Sequence, residues 1–243
     1  MTTEINFSII LPTLNEKENI RSLIPDIIKL AIPAFEIIVV DDGSSDGTRE
    51  AVLDLKKSYE GIVLISRDNE KGYASAIRRG VEVARGEFVV WLDCDYSHPP
   101  ELIEDMISYL ARYDADIVVA SRFLPTSKDL TYKGSRVVFF QKVLSRCLSC
   151  LCRLLFYNEI TDYTSGYICI RKKIIPNTMG IYGDFFMELV IRCLDSKLRY
   201  FEIPYVSPPR KHGKSKTGTS YIEIIFTGRL YLIAMLRLFF RRK

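Results

Sequence analysis

Two aspartates, Asp93 and Asp95, flank a single cysteine directly after an apolar run at residues 88–92. Carboxylates two positions apart, on a turn that follows a strand, suit a hard divalent cation, and Mg²⁺ or Mn²⁺ in such a site often bridges a diphosphate. The alternative is a solvated acidic turn that caps the helix beginning near Pro99. The spacing by itself leaves both interpretations open.

Other polar clusters follow apolar runs in the same way. They are residues 12–16, 41–46 and 121–122, after the runs at 7–11, 36–40 and 116–120. Short β-branched runs are typical of strands buried on both faces, and amphipathic segments lie between them. This alternation predicts an α/β fold with a mostly parallel sheet flanked by helices. Since ligands of such sheets bind beyond the carboxyl ends of the strands, we expect the clusters to meet at one edge.

The charge of the chain is distributed unevenly. The 243 residues carry 34 basic and 30 acidic side chains, a net charge of +4. Residues 207–243 hold nine basic side chains and one acidic side chain, a charge of +8, which leaves −4 for residues 1–206. A basic C-terminal end beside a mildly acidic body indicates an anionic partner at that end, such as phosphates, a lipid surface or nucleic acid.

Composition and cysteine usage exclude several classes of protein. With 48% hydrophobic and 26% charged residues, the chain is neither disordered nor collagen-like, and it is not a disulfide scaffold. The first six residues lack the basic n-region of a signal peptide, so we expect the six cysteines to be reduced in a cytosolic setting. Cys147, Cys150 and Cys152 lie in an apolar helical run, which favours packing over zinc binding.

The C-terminal residues 219–240 are predicted to form one amphipathic helix. Charged residues interrupt it, and its longest apolar run near the end is residues 230–236, too short to span a bilayer. At 100° per residue one face holds the polar residues Ser220, Glu223, Thr227, Arg237 and Arg241. This pattern favours a helix lying in a membrane interface. The alternative is an ordinary amphipathic helix packed on the domain.

The ordered series of motifs carries a family resemblance. Residues 12–16 (PTLNE), 39–48 (VVDDGSSDGT), 93–101 (DCDYSHPPE), 162–166 (DYTSG) and 210–216 (RKHGKSK) together resemble family-2 glycosyltransferases of the GT-A fold. The chain is most similar to the dolichol- or polyprenyl-phosphate mannose synthases of that family. The resemblance implies a GT-A, Rossmann-like catalytic domain over residues 1–218, and residues 219–243 would form the C-terminal amphipathic helix.

The resemblance also implies a role for each matching residue. The nucleotide would be held by Pro12, Glu16, Val39 and Asp41. The metal–diphosphate site would contain Asp93, Asp95 and Ser97, with Cys94 between the aspartates. Arg122 would lie near the transferred sugar and the acceptor phosphate, with Arg136 at that phosphate. Arg210 and Lys216 would close over the donor diphosphate, and the catalytic residues would be Asp95, Arg122 and Arg210.

The implied activity is a metal-dependent, inverting sugar transfer with Mg²⁺ or Mn²⁺ as cofactor. The donor would be a nucleotide sugar, GDP-mannose first, and the acceptor a polyprenyl or dolichyl phosphate. The alternative is a family-2 enzyme that uses a UDP-sugar, with a polyprenyl phosphate or a saccharide as acceptor, for which Asp184 or Glu188 could supply a catalytic carboxylate. We expect a peripheral protein on the cytoplasmic face of a membrane, bound through its C-terminal helix, with no nucleic-acid partner.

Overall fold

The computed structural model describes residues 6–131, 135–176, 184–213, 215 and 220–241. Strands and helices alternate along the chain, as the sequence predicts. The strands are β1 (Phe7–Thr13), β2 (Phe35–Asp41), β3 (Ile62–Ser66), β4 (Phe88–Trp91), β5 (Ile117–Ser121), β6 (Lys128–Asp129), β7 (Ile168–Arg171), β8 (Tyr200–Pro204) and β9 (Val206–Ser207). The helices are α1 (Lys17–Ile28), α2 (Thr48–Ser58), α3 (Tyr73–Val83), α4 (Leu102–Tyr113), α5 (Arg136–Leu155), α6 (Asp184–Asp195) and α7 (Tyr221–Arg241).

Seven strands form one sheet in the order β3-β2-β1-β4-β7-β5-β8. Only β7 among these strands runs antiparallel to its neighbours, β4 and β5, so the predicted mostly parallel α/β sheet is confirmed. The pair β6 and β9 forms a second, two-residue ladder in a region predicted to be loop. Two residues are too few to leave a periodic pattern in a sequence.

The apolar runs form strands because both faces of the sheet are covered. In β1, Ile9 and Leu11 point to one face, where α1 and α4 pack, and Ile10 points to the other, where α3, α6 and α7 pack. The same alternation places Val39 of β2 in the first core, fully buried. The carboxyl ends of β1, β2, β4 and β5 therefore emerge together at one edge of the sheet.

The C-terminal helix α7 packs on the domain against α5 and α6. Its buried residues are Ile224, Ala234, Met235 and Leu238. Arg237, on the predicted polar face, is exposed, and its Nη2 lies 2.6 Å from Oε2 of the buried Glu188 on α6. The packed-helix alternative is thus confirmed for one face of α7. None of the described helices is both long and apolar enough to cross a membrane.

The cysteines on α5 differ in their surroundings. Cys152 is buried, with its Sγ 3.4 Å from the Sδ of Met187, as the packing interpretation predicts. Cys147 and Cys150 are exposed on the same helix. All six cysteines of the chain are described, and none forms a disulfide. The predicted domain boundary after residue 218 lies outside the described residues and stays a prediction.

Candidate active site

The acidic turn, residues 93–97, follows β4 directly at the carboxyl edge of the sheet. The carboxylate of Asp95 is held on both oxygens. Its Oδ1 accepts hydrogen bonds from the Ser97 backbone N–H at 2.9 Å and from the Ser97 hydroxyl at 2.6 Å. Its Oδ2 lies 2.7 Å from Nη2 of Arg210. Ser97 therefore orients Asp95. The guanidinium of Arg210, from a distant segment of the chain, contacts the other oxygen of Asp95.

The carboxyl group of Asp93 is half-buried beside Asp95. Loss of hydration is the main cause that raises its pKa, and the neighbouring Asp95 carboxylate raises the pKa further. Two carboxylates so close together fit a site for a divalent cation, which would stabilise both charges. The described residues contain no group of three or more His, Cys, Asp and Glu side chains that could hold a metal. A Mg²⁺ or Mn²⁺ at this pair would therefore need further ligands, and substrate phosphates and water commonly provide them.

Arg210 joins the acidic turn to the loop after β1. Its Nη1 lies 2.9 Å from Oε1 and 3.2 Å from Oε2 of Glu16, which is itself buried. Although burial opposes the charge of Arg210, the carboxylates of Asp95 and Glu16 raise its pKa, so it stays a cation. Asn19 donates to Glu16 at 2.5 Å from α1. The predicted site residues Glu16, Asp95 and Arg210 are thus brought together.

The end of β2 carries a second acidic cluster, and arginines neutralise it. Asp41 is fully buried and accepts from Nε of Arg49 at 2.6 Å. Asp42 accepts from Nε of the buried Arg67 at 2.8 Å. Neither arginine was among the predicted site residues, because no spacing marks the pairs. Arg49 follows Asp41 after a short loop, and α2 and β3 lie between Asp42 and Arg67.

The remaining residues predicted to hold the nucleotide are placed differently from one another. Pro12 lies at the end of β1, where its carbonyl oxygen accepts from Sγ of Cys94 at 3.4 Å. Cys94 is buried, so this contact ties the acidic turn to β1. The side chain of Val39 is wholly within the core, so only its backbone could contact a nucleotide, and its expected role stays a prediction.

Arg122 follows β5 at the same edge, and a buried carboxylate fixes it. Its Nε and Nη2 donate to Asp162 at 2.8 and 2.9 Å, and Nη2 also donates to the Thr164 hydroxyl at 2.7 Å. Although burial alone would raise the pKa of the fully buried Asp162, the charge and hydrogen bonds of Arg122 hold it below the usual range. Because β7 is antiparallel, the residues preceding it, including Asp162, lie at this edge too.

Two other predicted residues are not brought to the acidic turn. Arg136 is exposed at the first position of α5, and no contact among the described residues joins it to the turn. Lys216 lies outside the described residues.

Two residues outside the predicted site set lie beside Asp93. Nδ1 of His98 accepts the Asp93 backbone N–H at 3.0 Å, and its ring stacks on Tyr167 with the centroids 4.8 Å apart. Burial and the nearby Asp93 carboxylate raise the pKa of Tyr73, at the start of α3. The position of His98 inside the 93–101 motif was a usable signal, whereas nothing near Tyr73 in the sequence points to Asp93.

The edge of the sheet therefore combines two kinds of group. Asp93 and Asp95 can hold a divalent cation, while the guanidinium groups of Arg122 and Arg210 suit phosphate oxygens. Such a combination can bind a diphosphate and stabilise the negative charge that develops on it when a bond to it breaks.

Related proteins match this chain over most of its length. A dolichol-phosphate mannosyltransferase of Pyrococcus furiosus is 33% identical over 219 residues, which are 86% of this chain and 58% of the relative. This chain thus spans less than two thirds of that relative. A dolichol-phosphate mannosyltransferase of Saccharomyces cerevisiae is 29% identical over 90% of this chain and 83% of its own length. A polyprenol monophosphomannose synthase of Mycolicibacterium smegmatis is also 29% identical, over 90% of this chain and 83% of its length.

Solved structures share the fold. Glucosyl-3-phosphoglycerate synthase from Mycobacterium tuberculosis, in complex with Mn²⁺, uridine diphosphate and glucosyl-3-phosphoglycerate, matches with a TM-score of 0.70 and 21% identity, over 96% of this chain and 79% of that chain. This likeness of fold confirms the predicted GT-A architecture. The sequence profile described as glycosyl transferase family 2 matches residues 8–178, a range that contains Glu16, the acidic turn and Arg122. Because the match covers the strands together with the acidic edge that they carry, the chain belongs to glycosyl transferase family 2.

Proposed function

We propose that this protein transfers a hexose from a nucleotide sugar to a polyprenyl phosphate, with mannose from GDP-mannose as the first candidate. The observation that carries the proposal is the bridge from Arg210 to Glu16 and Asp95, with Nη2 of Arg210 only 2.7 Å from Oδ2 of Asp95. Because of this bridge, a guanidinium group that could bind a diphosphate lies directly beside the carboxylates of Asp93 and Asp95. The names of relatives, which are dolichol-phosphate mannosyltransferases and a polyprenol monophosphomannose synthase, support this donor and acceptor.

The reaction is a single inverting displacement. An oxygen of the lipid phosphate attacks the anomeric carbon of the donor sugar and forms the new C–O bond. The bond from that carbon to the donor diphosphate breaks, and the nucleoside diphosphate leaves with the electron pair. Because a phosphate monoester is already anionic near neutral pH, the nucleophile needs no strong general base, and positioning and charge stabilisation carry the catalysis.

Each group at the edge has a part in this displacement. Glu16, Asp41 and Pro12 would contact the nucleotide, Arg122 would face the acceptor phosphate, and Arg210 would stabilise the leaving diphosphate. Arg122 keeps its orientation because Asp162 binds it through two nitrogens. The positions proposed for Arg136 and Lys216, at the acceptor phosphate and the diphosphate, follow from the family motifs alone.

A divalent cation fits beside Asp93 and Asp95, with Ser97 next to them. When bound there, Mg²⁺ or Mn²⁺ would supply a Lewis acid that neutralises the donor diphosphate. The Mn²⁺ in the M. tuberculosis synthase complex supports a divalent ion in this fold. The chain's own contribution is to keep Asp95 oriented through Ser97, whose hydroxyl donates at 2.6 Å.

The structure favours a phosphate acceptor over a saccharide acceptor. A saccharide hydroxyl would need a carboxylate base, for which the candidates were Asp184 and Glu188. Glu188 binds Arg192 through Oε1 and Arg237 through Oε2, both at 2.6 Å, so its two oxygens already serve the packing of α7 on α6. Asp184 is buried at the start of α6.

The second part of the proposal is a peripheral position on a membrane, on its cytoplasmic side. The exposed sides of α5 and α7 form an apolar face, in which Leu154 is 82% and Ile222 is 81% exposed. Its other large members are Phe139, Val143, Ile225, Phe226, Ile233, Leu236 and Phe240. Between the two helices lies an apolar groove of about 790 Å³. A lipid surface is the occupant we propose for this apolar face, because the proposed acceptor is itself a lipid and exposed apolar faces of this kind mark interaction sites.

A donor and acceptor screen tests the proposal. The full chain is incubated with radiolabelled GDP-mannose or UDP-glucose, a short polyprenyl phosphate, and Mn²⁺ or Mg²⁺. We expect label in the organic phase with GDP-mannose, and none with Asp95→Asn. If label enters the organic phase with UDP-glucose but not with GDP-mannose, the donor proposed here is wrong and the polyprenyl phosphate acceptor stands. Label that appears only on an added saccharide would overturn the proposal.

A further inference from the structure

Tyr96 lies in the acidic turn between Asp95 and Ser97, and its backbone is strained. Its φ of +68° lies in the left-handed region, which side chains other than glycine rarely adopt. Such a conformation persists only where the surrounding contacts over-determine it, and these positions cluster at functional sites. Because Tyr96 is bonded to both Asp95 and Ser97, contacts that hold Tyr96 in place also help to hold the carboxylate of Asp95.

The phenol of Tyr96 is anchored on α1. Its hydroxyl donates to Oδ2 of Asp26 at 2.7 Å. Burial and the hydrogen bond to Asp26 raise the pKa of Tyr96, which keeps the phenol protonated and able to donate. The ring is therefore held at its far end by the helix and at its near end by the turn.

The face of this ring carries Lys211, the residue after Arg210. Nζ of Lys211 lies 4.1 Å from the ring centroid, within the range of a cation–π interaction. The backbone N–H of Lys211 donates to the carbonyl oxygen of Asp95 at 2.9 Å. One residue further, the carbonyl oxygen of His212 accepts from Nδ2 of Asn19 at 3.2 Å. Residues 210–212 thus dock on the acidic turn through both backbone and side chains.

We propose that Tyr96 is a positioning residue, whose ring is the docking platform for Lys211 and so places Arg210 at the diphosphate of a nucleotide donor. Lys211 is bonded directly to Arg210, so fixing the backbone and the ammonium group of Lys211 leaves Arg210 little freedom. Arg210 then reaches Glu16 and Asp95 without a further search of conformations. The inference rests on the proposed function, because that function assigns the diphosphate to Arg210.

A competing interpretation gives Tyr96 only a structural role, as a brace between the turn and α1. The two interpretations differ in the part of Tyr96 that matters. The brace needs the hydroxyl that binds Asp26, whereas the platform needs the aromatic face under Lys211. Tyr96→Phe removes the hydroxyl and keeps the face, and Tyr96→Leu removes both.

The hydrogen-exchange rate of the Lys211 backbone amide measures directly whether this segment is docked. The measurement does not depend on sugar-transfer activity. The full chain is compared with Tyr96→Phe, Tyr96→Leu, Lys211→Met and Lys211→Arg, and peptides spanning residues 208–213 are followed by mass spectrometry. We expect exchange at residue 211 to accelerate about tenfold in Tyr96→Leu and Lys211→Met, because the docked segment opens more often. Tyr96→Phe and Lys211→Arg should keep the slow exchange, since they retain the aromatic face and the cation.

Kinetics with the full chain gives the second reading. Lys211→Met should raise the KM for the nucleotide sugar about fivefold and leave the KM for the polyprenyl phosphate unchanged, and Lys211→Arg should restore the donor KM. The double variant Tyr96→Leu/Lys211→Met should be no worse than either single variant, because both remove one contact.

The outcomes separate the inference from the proposed function. Unchanged exchange at residue 211 in both Tyr96→Leu and Lys211→Met overturns the platform, and so does faster exchange in Tyr96→Phe equal to that in Tyr96→Leu. If Tyr96→Leu fails to fold, Lys211→Met and its rescue by arginine decide the matter. A wild-type chain that transfers no sugar at all refutes the proposed function, while the exchange rates still show whether Lys211 docks on Tyr96.

Discussion

Arg237 of α7 contacts Glu188 of α6, with 2.6 Å between Nη2 and Oε2. The other oxygen of Glu188, Oε1, lies 2.6 Å from Nη2 of Arg192 on its own helix. Glu188 is buried, so its charge is stabilised by two guanidinium groups rather than by water. This buried carboxylate ties the C-terminal helix to the core, beside the four apolar residues of α7 that are buried there.

Replacing Arg237 should therefore loosen α7. We expect Arg237→Ala to lower the free energy of unfolding by about 1 kcal/mol, because Glu188 keeps Arg192 and the Arg237 side chain is 48% exposed. Urea denaturation measures this change. Arg241→Ala, an exposed arginine on the same helix, is the matched control and should leave the stability unaltered. Equal losses in the two variants would contradict a specific role for the Glu188 contact.

The packing of α7 shows where prediction from this sequence stops. The helix and its extent could be predicted, because its hydrophobic pattern is local. Its contact with Glu188 could not be predicted, because Glu188 and Arg237 lie 49 positions apart in the sequence.

The candidate site could be predicted to a similar degree. Glu16, Asp95 and Arg210 were identified through motifs, and the parallel sheet brings the first two to one edge. The contacts that hold them were not predictable, since Lys211 and Tyr96 are separated by more than a hundred positions and neither residue type is unusual on a protein surface. The burial of the Val39 side chain could not be read from its motif, because a strand residue next to a binding loop can still point into the core.

Removing the charge of Asp95 should abolish transfer. We expect Asp95→Asn to reduce kcat about 100-fold or more, because the diphosphate loses a ligand of its counter-ion and Arg210 loses its partner at 2.7 Å. Initial rates with saturating donor and acceptor measure the change, and circular dichroism checks the fold. Asp54→Asn, an exposed aspartate on α2, serves as the control. Wild-type turnover in Asp95→Asn would remove this residue from the site.

The Arg122–Asp162 pair should make stability depend on pH. Burial opposes ionisation of Asp162, but Arg122 holds its pKa below the usual 3.8. A depressed folded-state pKa gives stability that is fully present above the unfolded-state value and is lost as the pH falls through the lower folded-state value. We expect Asp162→Asn to cost about 3 kcal/mol at pH 7, since it leaves the partly buried guanidinium of Arg122 without its counter-charge.

The difference between Asp162→Asn and the wild type should shrink as the pH falls below 3.8, the ordinary pKa of an aspartate. Urea titrations from pH 7 to pH 3 follow it. Glu60→Gln, an exposed and distant change, is the control for general acid effects. A difference that stays constant over this range would show that the charge of Asp162 does not stabilise the fold.

Binding to lipid should depend on the apolar face formed by α5 and α7. Phe226 and Ile222 are exposed in the first turns of α7, and burying one such side chain in an apolar phase contributes about 1.5–3 kcal/mol. We therefore expect Phe226→Ser to weaken sedimentation with anionic phospholipid vesicles about tenfold or more, and Ile222→Ser to act similarly. The matched control is Leu53→Ser on α2, an equally apolar change at a residue that is also exposed. If all three variants sediment like the wild type, the apolar face does not bind the membrane; if Leu53→Ser weakens binding as much, the attraction belongs to no particular face.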